Sequence, residues 1–347
     1  MLWEPEIIFR LLSQKCGVLS CFDGYFIGSR LFYYERRTNN KGFEVFLMRK
    51  IFEGAATAII TPFDKSGKID FESFGSLIDF QIAEGIDAIV AAGTTGEGST
   101  LTDKEHRAVI KFCVERTAHR VPVIAGTGSN DTAYAKELTA AACELGADAM
   151  LLVTPYYNKA TQAGLVKSFS DIADVSDKPC ILYNVPSRTG CNILPETVAE
   201  LAKHPNIVGI KEASGNISQI AETARLSGGD FSIYSGNDDQ IVPIMSLGGS
   251  GVISVLSNVL PRETSQMCKL CLNGDYRTAA KMQLKYLPLI SALFSEVNPI
   301  PAKAAMAAMG YGDNSLRLPL TPIESAHKET LLAEMKNLGI ILKEENI

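Results

Sequence analysis

The sequence predicts an α/β fold, a (β/α)8 TIM barrel with a C-terminal helical extension. Eight short apolar runs of strand length alternate with amphipathic stretches of helical period. The runs are continuously apolar, which is typical of parallel strands buried on both faces. An open doubly wound sheet is the alternative, but residues 61–63, after the first run, lack the glycine-rich phosphate turn of that fold. A closed barrel therefore suits the pattern better.

The strand candidates share a high content of apolar residues and a length too short for independent helices. They lie at residues 55–60, 88–92, 121–125, 149–153, 180–183, 207–210, 231–234 and 251–254. The first is ended by Thr61-Pro62, because proline cannot donate to a strand ladder.

Amphipathic segments separate these strands. They lie at residues 70–84, 102–118, 132–145, 162–174, 195–203, 217–226 and 239–247. The second begins with a capping box of Thr102 and Glu105, and the third is stopped by Gly146. Four more helical patterns follow the last strand and predict a cap or an oligomer contact, at residues 262–272, 276–294, 301–309 and 324–338.

The pattern divides the chain into a barrel at residues 48–256 and a helical region at residues 257–347. Residues 1–47 differ from both, since they show no steady period and hold the only tryptophan, Trp3. Glu4 and Glu6 argue against a signal peptide. We expect Met48 to be the functional start and residues 1–47 to lie outside the core. A genuine appendage that packs or binds something is the alternative.

Composition excludes several classes of function. The 347 residues are 46% hydrophobic, which is ample for a large core. The net charge of −6, without a basic cluster among aromatic residues, argues against a nucleic-acid partner. Eight scattered cysteines are typical of a reducing compartment, and no apolar run reaches the roughly 18–20 residues of a membrane helix. We expect a cytoplasmic protein that binds neither nucleic acid nor membrane.

In a barrel of this kind the active site is built by the loops that follow the strands. Here those loops hold one lysine, three tyrosines, one arginine and several small hydroxyls, but no histidine. No group of residues has metal-ligand spacing, and the pair Cys268 and Cys271 stands alone in a helical pattern. A Ser-His-Asp hydrolase and a histidine-ligated metal enzyme are therefore poor fits. We expect no metal and no cofactor.

Lys211 follows directly after the sixth strand candidate. A buried amine loses solvation as an ammonium ion, so burial favours its neutral form. A neutral amine can attack a ketone and form a Schiff base. Considered alone, a strand that ends in an ordinary surface lysine is the favoured interpretation, and only the rest of the chain argues against it.

Residues 48–342 resemble the pyruvate-dependent class I aldolase family that includes dihydrodipicolinate synthase and N-acetylneuraminate lyase. Three motifs carry the resemblance, residues 93–97 (GTTGE), 183–186 (YNVP) and 210–212 (IKE). The double threonine, residues 153–158 (VTPYYN) and residues 186–190 (PSRTG) are most similar to the synthase branch.

The resemblance implies a reaction in which Lys211 forms a Schiff base with pyruvate. The derived enamine attacks L-aspartate 4-semialdehyde to give 4-hydroxy-tetrahydrodipicolinate, a step of lysine and diaminopimelate biosynthesis. Tyr183 moves protons beside the lysine and is linked through Thr94 to Tyr157. In the family that last tyrosine reaches in from a neighbouring subunit of a homotetramer, a dimer of dimers.

The resemblance also implies which residues hold the substrates. Thr95, with backbone NH groups of its loop, binds the carboxylate of pyruvate. Arg188 binds the carboxylate of the semialdehyde, because a planar fork of donors matches a planar anion. Gly236 and Ile253 supply backbone groups and a wall. Glu97 is expected to hold its own loop and to take no part in the chemistry.

A second implied site, between subunits, binds lysine as an inhibitor. The matching positions are Gly98, Ser99, Asp103, His106, Asn130, Tyr134 and Tyr156. His106, Asn130 and Tyr156 agree with the lysine-sensitive pattern. Tyr134 replaces an acid that usually pairs with the amine of the effector, and Asp103 replaces a common histidine. Without that acid the bound ammonium loses its charge partner, so we predict weak or absent inhibition by lysine.

Two other functions stay open. An aldolase of the same fold could cleave a sugar acid, but it would need hydroxyl-binding groups where Arg188 stands. A barrel that has become a non-catalytic binding protein is the third possibility. Retention of Lys211, Tyr183 and the two threonines argues against it.

Overall fold

The computed structural model describes the backbone of residues 21–27, 30–38 and 44–47, and residues 50–343 with their side chains. The chain divides into two compact units, residues 1–49 and residues 50–347. The predicted start at Met48 and most of the segment before it lie outside the described residues.

The first unit contains a three-stranded antiparallel sheet of β1 (Cys21–Ile27), β2 (Arg30–Thr38) and β3 (Glu44–Leu47), with β2 in the centre. We predicted no strand in this segment. The aromatic composition of this segment favours strands. The lack of a regular polar alternation hid that signal.

In the second unit a closed parallel barrel confirms the predicted fold class. Its strands pair in chain order, and the last pairs with the first, as Val252 opposite Ala55 shows. The strands are β4 (Gly54–Ala58), β5 (Ala88–Ala91), β6 (Val123–Gly126), β7 (Ala149–Val153), β8 (Cys180–Asn184), β9 (Ile207–Glu212), β10 (Ser232–Ser235) and β11 (Gly251–Ser254).

Helices follow the strands as predicted. Those between strands are α1 (Phe71–Ala83), α2 (Asp103–Thr117), α3 (Thr132–Glu144), α4 (Gln162–Ala173), α5 (Pro186–Thr189), α6 (Pro195–Leu201), α7 (Ile217–Ser227) and α8 (Ile241–Ser246). Those after the barrel are α9 (Pro261–Leu272), α10 (Tyr276–Leu293), α11 (Ile300–Ala308) and α12 (Ser325–Asn337).

The predicted helix ends are confirmed where side chains or glycine set them. Thr102 Oγ1 accepts from Glu105 N at 3.3 Å, and Glu105 Oε2 accepts from Thr102 N at 2.9 Å, which is a capping box. Gly146 follows α3 with a φ of +86°, a conformation that suits glycine. α5 is a helix that we had taken for a loop. It begins at Pro186, whose fixed φ suits a first helical turn.

Two apolar clusters build the second unit. One fills the barrel interior and includes Ala56, Val90, Ile124, Ile181 and Ile253. The other lies between the strands and the surrounding helices and extends to α11, in which every residue is buried. The C-terminal helices therefore share a core with the barrel.

Among the residues that the structure describes, none of the helices has the length and apolar character that crossing a bilayer requires.

Candidate active site

Lys211 and Tyr183 lie side by side inside the barrel. β8 and β9 are parallel neighbours, and their register places Tyr183 opposite Lys211. Lys211 Nζ is 4.4 Å from the centre of the Tyr183 ring, and the two residues are 6% and 7% exposed. Because side chains alternate along a strand, Lys211 faces inward while Ile210 and Glu212 face the helices. The structure thus removes the ambiguity about Lys211, since it is no surface lysine.

Behind this pair, a buried polar network holds the ends of β8 and β9 together. Asn184 Nδ2 lies 3.2 Å from both oxygens of Glu212, and Glu212 Oε1 accepts from Ser214 N at 2.8 Å. Asn184 Oδ1 accepts from Ile193 N at 3.0 Å. Burial raises the pKa of the Glu212 carboxyl. Asn184 and Glu212 are supporting residues that our sequence analysis missed, although both lie in the motifs we quoted.

The loop after β5 carries the two threonines in a tight turn. Glu97 N donates to Thr94 O and Gly98 N to Gly93 O, each at 3.1 Å. A Cβ at Gly98 would lie 2.3 Å from Ala92 O, so only glycine fits there. The turn leaves Thr94 exposed and Thr95 buried.

Glu97 fastens this loop to the C-terminal helices, as expected. It forms a buried ion pair with Lys303 of α11, and its Oε2 accepts from Arg317 N at 3.1 Å. Lys303 Nζ also donates to Ser315 O at 2.8 Å and lies 3.9 Å from the centre of the Phe63 ring. Burial lowers the pKa of Lys303 to about 8, against the opposing effect of Glu97.

Asn298, just before α11, contacts both residues that were predicted to hold carboxylates. Its Nδ2 donates to Thr95 Oγ1 at 2.9 Å. Its backbone oxygen accepts from Nη2 of Arg188, an exposed residue of α5, at 3.1 Å. Asn298 was not identified from the sequence. The chain separates it from Thr95 by 203 residues, and no local pattern signals such a contact.

Gly236 and Ile253 are the two residues that were predicted to supply backbone groups and a wall. Gly236 N donates to Glu212 O at 2.7 Å, and a Cβ there would approach Ala213 Cβ to 2.7 Å. Ile253 is fully buried in the same interior cluster as Tyr183. Gly236 thus follows β10 directly, and Ile253 belongs to β11.

The three hydroxyls of the predicted relay are not joined within one chain. Tyr157 is 92% exposed and has a φ of +68°, so its ring extends away from the surface. In residues 50–343, no hydrogen bond links Tyr183, Thr94 and Tyr157 to one another.

The positions of the predicted effector site cluster around the loop after β6. His106 Nε2 is 2.8 Å from Gly126 O, and burial lowers the pKa of this imidazole. Asn130 Nδ2 donates to Tyr156 O at 3.2 Å. The Tyr134 hydroxyl donates to Asp103 Oδ1 at 3.2 Å, so these two departures from the lysine-sensitive pattern contact each other.

Within the described residues, no group of three His, Cys, Asp or Glu side chains is placed to hold a metal ion.

Comparison with known proteins agrees with this geometry. The model of the dihydrodipicolinate synthetase family matches residues 51–338. A 4-hydroxy-tetrahydrodipicolinate synthase from Alkaliphilus oremlandii is 55% identical over 291 residues, which are 84% of this chain and 100% of that protein.

Two solved structures give the same result. The chloride-inhibited dihydrodipicolinate synthase from Acinetobacter baumannii, complexed with pyruvate, is 45% identical with a TM-score of 0.82, over 83% of this chain and 99% of that one. DHDPS from Cyanidioschyzon merolae with lysine bound is 41% identical with a TM-score of 0.82, over 84% of this chain and 100% of that one. This chain belongs to the dihydrodipicolinate synthetase family.

Proposed function

We propose that this chain condenses pyruvate with L-aspartate 4-semialdehyde to give 4-hydroxy-tetrahydrodipicolinate. The observation that carries the proposal is the buried amine of Lys211 beside the Tyr183 phenol, in a chain 55% identical to a synthase of that name. An amine and a proton carrier in contact, inside an apolar barrel, suit Schiff-base chemistry.

The reaction begins when Lys211 Nζ attacks the ketone carbon of pyruvate. A C–N bond forms, the ketone oxygen leaves as water, and the iminium draws electrons from the neighbouring methyl group. Loss of a methyl proton gives an enamine, whose carbon attacks the aldehyde of the semialdehyde and forms the new C–C bond. The amine of that substrate then displaces Lys211 as the ring closes. Tyr183 is the side chain placed to carry protons in these steps.

In this proposal, Thr95 and Arg188 each bind the carboxylate of one substrate. Thr95 is buried at the mouth of the barrel and offers a hydroxyl to pyruvate. Arg188 is exposed on α5 and offers a guanidinium to the semialdehyde, which suits a carboxylate better than the hydroxyls of a sugar acid.

The proton relay requires a second copy of the chain in this proposal. Tyr157 is almost fully exposed in one chain and cannot pack against its own subunit. A homotetramer, built as a dimer of dimers, would bring Tyr157 into the site of a neighbour.

Lysine is proposed to inhibit this enzyme weakly or not at all. Tyr134 offers a phenol where an acid would pair with the ammonium group of the effector, and that phenol already contacts Asp103. Turnover should be unchanged at micromolar lysine. Strong inhibition at that concentration would contradict this expectation.

Borohydride trapping with pyruvate tests the proposed chemistry. We expect a reduced pyruvate adduct on Lys211 by intact mass and peptide mapping, with turnover of aspartate semialdehyde in the same preparation. Lys211→Met should lose both, whereas the matched control Lys111→Met, at an exposed lysine of α2, should lose neither. An adduct without turnover would support the Schiff base but indicate that the substrate is a sugar acid. Absence of any adduct on Lys211 would refute the Schiff base.

A further inference from the structure

We propose that Asn298 is a positioning residue that sets the two carboxylate-binding side chains of the site. It orients the Thr95 hydroxyl toward the pyruvate carboxylate and holds Arg188 beside it. This inference rests on the proposed function, in which Thr95 and Arg188 bind the two carboxylates. Asn298 itself is 5% exposed and sits where the chain enters α11.

The hydrogen bond from Asn298 determines the direction in which the Thr95 hydroxyl can donate its proton. A hydroxyl has one proton to donate and two lone pairs that accept. Thr95 Oγ1 accepts from Asn298 Nδ2 at 2.9 Å, and among residues 50–343 no acceptor takes the Thr95 proton. A carboxylate can only accept hydrogen bonds. The amide thus leaves the hydroxyl polarised and its proton free for the carboxylate of pyruvate.

The contact with Arg188 acts on the second substrate. Arg188 is a long exposed side chain, and ordering such a side chain costs conformational entropy. Nη2 donates to the backbone oxygen of Asn298 at 3.1 Å, which restrains the guanidinium before substrate arrives. The remaining NH groups stay available for a carboxylate. Because this acceptor belongs to the backbone, changes of the Asn298 side chain should leave it in place.

The surroundings of Asn298 make it suitable for this task. It precedes α11, whose residues are all buried and whose Lys303 pairs with Glu97 of the threonine loop. The Asn298 Oδ1 atom is buried without a partner, which disfavours an amide at this position on stability grounds alone. The contact with Thr95 offers a functional reason for the amide.

Two substitutions separate the roles of the side chain and the backbone. Asn298→Ala removes the donor, and Asn298→Asp keeps the shape but can only accept at that place. Loss of one hydrogen bond should raise the KM for pyruvate about 3- to 10-fold. The KM for the semialdehyde should stay within about twofold, because the backbone contact with Arg188 remains. An unchanged pyruvate KM in Asn298→Asp, the nearly isosteric variant, would overturn the proposal.

A double-mutant cycle tests whether Asn298 acts through Thr95. In a Thr95→Val background there is no hydroxyl to orient, so Asn298→Ala should no longer change the half-saturating pyruvate concentration. An equal shift in both backgrounds would show that Asn298 acts on the fold or directly on substrate, and would refute the positioning role. Thermal unfolding of each variant identifies any general loss of structure.

The cycle is read by borohydride trapping with pyruvate alone, so that it does not depend on the second substrate. In one outcome, Asn298→Ala changes the half-saturating pyruvate concentration for trapping only when Thr95 is present, but the protein does not turn over the semialdehyde. The role of Asn298 at Thr95 would then be supported, and the proposed function would fail. In the other outcome, the protein turns over the semialdehyde but the effects of Asn298→Ala and Thr95→Val on trapping are independent. The proposed function would then be supported, and the role of Asn298 would fail. The two failures are therefore distinguishable.

Discussion

At the scale of single residues, the parallel register of β8 and β9 brings the side chains of Lys211 and Tyr183 into contact. Neighbouring strands bring register partners together, and the period of two turns both side chains into the barrel. The pair therefore places an amine and a phenol in contact at a site shielded from bulk water, as the proposed chemistry requires.

Tyr183→Phe tests the proton role without removing the packing. The phenylalanine ring should still cover Lys211, so pyruvate trapping should persist, while turnover should fall about 10²- to 10⁴-fold. Steady-state kinetics and trapping on one preparation check this. Tyr286→Phe, a buried tyrosine of α10, is the matched control and should keep full turnover. Loss of trapping in Tyr183→Phe would mean that the phenol is needed to form the Schiff base itself.

At the scale of elements, the C-terminal helices brace the loops of the barrel. Glu97 and Lys303 form a buried ion pair between the loop after β5 and α11, and Arg317 joins the same loop from the segment before α12. A buried ion pair adds little net free energy of unfolding, because both charges lose their hydration. Removing only one partner is strongly destabilising, because the other charge stays buried and unpaired. The pair therefore specifies where the threonine loop sits.

Lys303→Met tests how strongly the stability of the fold depends on this ion pair. It leaves the Glu97 carboxylate buried without its partner, which should lower the free energy of unfolding by about 3–5 kcal/mol. Adding Glu97→Gln should recover part of that loss, because the unpaired charge is gone. Equilibrium denaturant unfolding measures both values. If the double variant were as unstable as the sum of the single ones, the ion pair would not be the cause.

Glu105 and Arg317 predict a pH dependence of stability. Arg317 donates to both Glu105 oxygens, at 2.8 and 2.6 Å, and these bonds are the largest cause that lowers the pKa of Glu105 from 4.5 to about 2, with further bonds from Thr102 acting in the same direction. Because the folded state binds this proton less readily, the contribution is present above pH 4.5 and is lost as the pH falls toward 2. Arg317→Met should flatten that part of the stability curve.

Chemical denaturation between pH 5 and 2 measures this slope, at the pKa values just given. The control is Arg225→Met, which removes a solvent-exposed pair with Glu222 and should change the acid slope much less, because solvent screens that pair. An unaltered slope in Arg317→Met would show that other carboxyls dominate acid unfolding.

At the scale of the whole molecule, one chain does not join the three hydroxyls of the proposed relay. Tyr157 extends into solvent at 92% exposure, and no described hydroxyl of its own chain meets it. Tyrosine is one of the residues enriched at protein–protein interfaces. The proposed assembly would bury that ring in the site of a neighbour.

Activity should therefore depend on assembly. Specific turnover should fall on dilution into the range where the oligomer dissociates, as followed by sedimentation, whereas pyruvate trapping should fall less because Lys211 and Tyr183 belong to one chain. Tyr157→Phe should lower turnover at any concentration, about 10²-fold or more. A monomer with undiminished turnover would contradict the role of Tyr157.

Apart from α5, which was taken for a loop, the sequence by itself determined the family, the barrel and its strands and helices, and the family resemblance implied that Tyr183 lies beside Lys211. These follow from local signals, namely apolar period, caps and short motifs. Strand boundaries were less accurate. The third strand begins at Val123 instead of residue 121, because Pro122 has no NH for the ladder.

Only the tertiary structure decided what supports the site. Asn298 reaches Thr95 across 203 residues of chain, and Arg317 reaches Glu97 across 220. Whether Lys211 is buried, and where Arg188 is restrained, likewise depend on elements distant in sequence. Local patterns encode the direction of a side chain from its own backbone, but a hydrogen bond between remote segments exists only once the barrel closes and α11 packs against it.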